Sequence, residues 1–167
     1  MVEEIAHALG ILKRAMQLEQ EGHEFYRRAV ETTKDEKGQE TFAALAEDEQ
    51  KHFAIILRQY QSLVDENRWA SLPEIKAVKI DLSKSLFPKG RKGLDTTFAS
   101  KSSDRDALLF GLEIENKSYD LYRASAAQII EPLGKEMFEF LAGEEQGHFN
   151  ILMMRYDLLF GPVAWRF

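Results

Sequence analysis

The chain has 167 residues, long enough for one domain with a sizeable core, and 44% of them are hydrophobic against 30% charged. A net charge of −6, with no basic stripe to neutralise phosphates, argues against a nucleic-acid partner. There is no cysteine, so disulfides, thiolate nucleophiles and cysteine-held zinc, haem or iron–sulfur centres are excluded within this chain.

The N-terminus carries Glu3 and Glu4 and no basic region before an apolar run, so it does not read as a signal peptide. No apolar stretch is long enough to span a bilayer. These features predict a cytoplasmic protein, single-domain over residues 1–167, with no membrane contact.

Four segments carry helical periodicity. The first has an apolar seam through Ile5, Leu9, Leu12, Met16, Glu19, His23, Tyr26, Val30 and Thr33. Its steps alternate four and three, the pattern of helices packed in a bundle. The second seam runs through Phe42, Leu45, Glu49, His52, Ile56, Gln59 and Leu63. Residues 32–38 separate the two as a turn, giving a first αα-hairpin over about 3–66.

Residues 67–102 differ in character: Pro73, Pro88, Gly90 and Gly93 break any long helix, and Lys84, Lys89, Arg91, Lys92 and Lys101 make the segment basic. The stretch is long for a plain loop in a compact domain. It is also long enough to return along a bundle and start the next hairpin from the other end. Two readings are open here: a crossover of an up-down-down-up bundle, or a loose linker that lets protomers exchange hairpins. Trp69 and Phe87, with Trp165 and Phe167, suggest a crossover and a tail packed on the bundle.

Ser103 with Asp106 forms a capping-box pattern that opens the third helix, whose seam runs Arg105, Leu108, Leu112, Glu115, Tyr119, Tyr122, Ala126 and Ile129. Pro132 suits the first turn of the fourth helix. That helix runs through Phe138, Leu141, Glu145, His148, Leu152, Arg155 and Leu159 and ends at Gly161-Pro162. The second hairpin thus covers about 103–160. The predicted fold is all-α, a four-helix bundle of two αα-hairpins with an internal pseudo-two-fold.

The two hairpins repeat one another. Shifting residues 15–64 by 96 places Glu19 on Glu115, Tyr26 on Tyr122, Glu49 on Glu145 and His52 on His148. Glu19 and Glu49 lie equally far from Lys34 in the first turn, and Glu115 and Glu145 equally far from Ile130 in the second. Antiparallel helices rising from one turn put such residues at one level. The three-residue step from glutamate to histidine keeps each pair on one helix face. Closing the bundle gathers four carboxylates and two imidazoles where leucines are otherwise expected.

Unpaired, four buried carboxylates are very unfavourable. Two divalent cations balance them, and an oxygen and imidazole donor set without thiolate suits iron or manganese, with zinc or cobalt as competitors. Two bridging and two terminal carboxylates with one histidine per metal is a natural division. A single Glu-x-x-His usually marks a solvated helix face. Two copies at one offset, each with a level partner glutamate, point to a metal site.

This arrangement resembles the ferritin-like di-iron carboxylate superfamily, and within it the rubrerythrins. The stretches Leu18-Glu19 to Phe25-Tyr26 and Ile114-Glu115 to Leu121-Tyr122, each followed by Glu-Gln-x-His-Phe, carry the likeness. The resemblance implies two iron ions held by Glu19, Glu49, His52, Glu115, Glu145 and His148. It implies redox chemistry with hydrogen peroxide or dioxygen. It also implies that Tyr26 and Tyr122 hydrogen-bond to ligand carboxylates and fix their orientation. Ser118 stands where rubrerythrins carry an extra glutamate, which makes the site more symmetric and nearer to the bacterioferritin pattern. Without a rubredoxin-like centre in this chain, reductant must come from a separate electron-donor protein or small molecule. A homodimer is the expected assembly.

Two other functions fit the same residues: a ferroxidase or iron-handling protein of ferritin type, and a metal-stabilised structural or binding bundle. His23 reads as a hydrogen-bonded interior histidine or a further ligand, and His7 as surface. Glu21, Glu24, Glu47, Asp48, Asp120 and Glu144 fall off the seams and read as solvated charges.

Overall fold

A computed structural model describes residues 2–77 and 103–162. Among these every element is helical: α1 (Val2–Thr32), α2 (Glu36–Asp65), α3 (Leu72–Lys76), α4 (Asp104–Gln128) and α5 (Pro132–Phe160). The long helices pair as two hairpins, α1 with α2 and α4 with α5, and α1 also packs on α4. No helix among the described residues is long and apolar enough to cross a membrane.

Helix ends are fixed by local chemistry. Asp35 caps α2, its carboxylate accepting from the Gly38 N–H at 2.7 Å. The expected turn over 32–38 is therefore shorter, because Glu36 to Gly38 form the first helical turn once Asp35 satisfies its N–H groups. Ser103 and Asp106 form the expected capping box of α4, and Pro132 sits at the start of α5 behind the Glu131 cap. Gly161, with φ 80, ends α5 in a conformation that glycine adopts without a Cβ clash.

Contacts at the two ends establish the topology. The Asp104 carboxylate, at the start of α4, accepts from the Lys34 and Asp35 backbone N–H groups at 3.1 Å each. Arg155, late in α5, pairs with Asp35. At the opposite end the Trp69 ring lies over Gly134, and Lys76 of α3 lies 3.3 Å above the Phe140 ring centre. So α4 starts beside the first turn and α5 starts beside the end of α2, which gives the up-down-down-up order. The two hairpins pack within one chain. The course of 78–102, and the expected packing of Phe87, Trp165 and Phe167, lie outside the described residues.

Two apolar clusters fill the bundle, one towards each end. One gathers Leu12, Ile56, Tyr122, Phe138 and Leu141, and the other Phe25, Tyr26, Phe42, Leu112 and Leu152. The repeat is visible in the packing: Tyr26 stacks on Phe42 at 5.9 Å, and Tyr122 on Phe138 at 6.1 Å. Between the clusters lies a polar layer.

Candidate metal centre

All six carboxylate and imidazole side chains of the repeated pattern meet in that layer. Glu19, Glu115 and Glu145 are fully buried, Glu49 is 1% exposed, His52 2% and His148 6%. They form two overlapping groups, Glu19 with Glu49, His52 and Glu145, and Glu49 with Glu115, Glu145 and His148. Within each group one oxygen or nitrogen per residue lies within 4.8 Å of the others. Glu49 and Glu145 belong to both. Each group has one private glutamate and one private histidine.

The imidazoles stack at 5.4 Å and turn Nδ1 towards the carboxylates. His52 Nδ1 lies 3.2 Å from Glu145 and 3.5 Å from Glu19. His148 Nδ1 lies 3.2 Å from Glu145 and 3.6 Å from Glu115.

The tyrosines cross between hairpins. Tyr26 on α1 donates to Glu115 Oε1 on α4, and Tyr122 on α4 donates to Glu19 Oε1 on α1. Each private glutamate is thereby held by the other half of the repeat.

Metal-free, the layer is electrostatically strained. Burial, with the neighbouring Glu145 charge, drives Glu19 well above the ordinary carboxylate range, and burial with Glu19 and Glu145 does the same to Glu49. Glu115 is pushed by burial up to about 8. Glu145 also suffers burial, but the two histidines outweigh it and hold its carboxyl low. Burial opposes charge on both histidines, yet the surrounding carboxylates raise them. Glu19 Oε2, both oxygens of Glu49, His52 Nδ1, Glu115 Oε2 and Glu145 Oε1 are buried and have no hydrogen-bond partner outside the cluster. Buried polar atoms are normally paired. Six such donor atoms facing one another, all of metal-ligating type, fit two cations.

Asp48 corrects the reading of that residue as a solvated charge. It is half-buried, and its Oδ2 lies 3.5 Å from His148 Nε2 across the α2–α5 gap. Its hydrogen bonding with His148 lowers its carboxyl to about 2. A carboxylate on one ring nitrogen leaves the other free to face a metal. No periodicity signals this residue, because its partner belongs to the other hairpin.

His23 is the interior histidine of the two alternatives, its Nδ1 lying 2.7 Å from the Ala46 carbonyl. It is in neither cluster group. His7 is exposed, as are Glu47, Asp120 and Glu144, while Glu21 and Glu24 are half-buried outside the cluster. Ser118 is buried one turn beyond Glu115.

The Rubrerythrin family model matches residues 10–86, which takes in Glu19, Glu49 and His52. Over that stretch the chain is similar to the Rubrerythrin family. A hypothetical protein from Pyrococcus furiosus has a similar structure, with a TM-score of 0.67 at 24% identity over 91% of this chain and 89% of that one. That similarity speaks for the ferritin-like fold alone. No curated protein matches the chain. The rubrerythrin-like match ends before α4, so Glu115, Glu145 and His148 join the set through the internal repeat and the geometry of the bundle.

Proposed function

We propose that this rubrerythrin-like chain is a non-haem di-iron carboxylate oxidoreductase that reduces hydrogen peroxide or dioxygen. The observation that carries the reading is the pair of overlapping donor groups sharing Glu49 and Glu145. Two metals would be held there by Glu19 and His52 on one side and Glu115 and His148 on the other, with Glu49 and Glu145 available to both. Bound iron would supply the two electrons that peroxide needs to break its O–O bond, with two protons, to give two waters.

The chain's own groups prepare the site. Tyr26 and Tyr122 fix the private glutamates by donating to one oxygen of each, leaving the second oxygen free. Asp48 orients His148. The two apolar clusters limit water around the polar layer. These 167 residues hold no cysteine, and we propose that a donor outside them restores the electrons. We further propose a cytoplasmic homodimer with a role under oxidative stress.

Stopped-flow spectroscopy of protein loaded anaerobically with ferrous iron tests this. Faster oxidation by peroxide than by dioxygen is the expected result, and inertness to both contradicts the proposal. Ferritin-type storage needs a cage, so a native particle of dimer size rules that alternative out.

A further inference from the structure

Gly22 lies one turn beyond Glu19 on α1, inside a helix, where glycine is less favourable than alanine. A Cβ built there would lie 2.8 Å from Glu49 Oε2 and 3.1 Å from its Cδ. We propose that Gly22 is the positioning residue for Glu49, and through Glu49 for both metal positions. The inference rests on the di-metal reading above.

Glu49 differs from the other three glutamates in what holds it. Glu19 and Glu115 each accept a tyrosine hydroxyl. Glu145 faces both histidines at 3.2 Å. No tyrosine reaches Glu49, whose polar contact is the neighbouring Glu19 carboxyl inside the layer, and His148 Nδ1 is 3.9 Å away. With no tyrosine or close histidine to fix it, its place depends on the space left beside α1 at Gly22, which a Cβ would fill. An added methyl group collides with the far end of a flexible side chain, so the helix can stay in place while the carboxylate moves. Because Glu49 belongs to both donor groups, one displacement reaches both metals.

The requirement is one-sided. The repeat places Ser118 opposite Gly22, and that residue carries a Cβ. The duplicated centre therefore has unequal seats for its two shared glutamates. Gly10, exposed on the same helix with nothing within 4 Å of a built Cβ, supplies the control.

Anaerobic titration of the full chain with cobalt(II), followed by d–d absorption and by competition with a chelator, tests the proposal. Wild type and G10A should bind two equivalents alike. G22A should keep its helical content while its affinity falls roughly 10–100-fold, the range found when residues supporting metal ligands are changed. The shorter side chain in an E49D background withdraws from the added methyl, so G22A should cost much less affinity there. Wild-type affinity in G22A would overturn the proposal, as would an equal loss in both backgrounds, which would mean a general effect on α1. Failure of wild type itself to bind cobalt would instead overturn the di-metal reading on which the inference stands.

Discussion

Tyr26 and Tyr122 cross from one hairpin to the other to hold Glu115 and Glu19. Replacing either with phenylalanine keeps the ring stacking and removes the donor. Y26F and Y122F should each weaken metal binding roughly 10–100-fold, read by the same cobalt titration, with little change in helical content. Both tyrosines were legible in the sequence because they stand two turns beyond a ligand on its own seam. Asp48 was not, since its side chain acts on His148 across the gap between α2 and α5. Gly22 was equally silent, because a glycine shows its purpose only once the atom that fills its space is known.

At the scale of elements, the four seams and the Ser103–Asp106 cap followed from periodicity and turn chemistry, while the crossing of the hairpins was one of two readings that the sequence left open. The boundary after Thr32 moved because the carboxylate of Asp35 opens α2 earlier than its Lys-Gly neighbours suggest. α3 was hidden behind Pro73, although Ser71 and Glu74 form a capping box around it. At the hairpin-2 turn, a Cβ at Gly134 would lie 2.6 Å from the Trp69 ring. G134A should therefore destabilise the protein by roughly 1–3 kcal/mol through overpacking, despite the helix preference for alanine. Urea unfolding monitored by circular dichroism measures this. Stabilisation would mean that Trp69 is free to move aside.

For the whole molecule, the buried layer links folding to protonation and to metal. Burial pushes the Glu115 carboxyl of the folded protein up to about 8, from an ordinary value of 4.5. A raised carboxyl contributes stability below its unfolded value and loses it as pH rises through the folded one. Glu19, Glu49 and both histidines are shifted in the same direction, and Glu145 in the opposite one. Metal-free protein should thus melt lower as pH rises between 4.5 and about 8, and E115Q should flatten that slope. Bound metal should reverse the trend, because ligands must be deprotonated.

The repeat at a fixed offset makes the centre one unit rather than two neighbouring sites, because Glu49 and Glu145 are shared. Anaerobic metal titration of wild type, E49A and E145A tests that directly. Two equivalents in wild type, and loss of both from either variant, is the predicted result. A variant that retains one metal at full affinity, or a wild type that binds none, would contradict it.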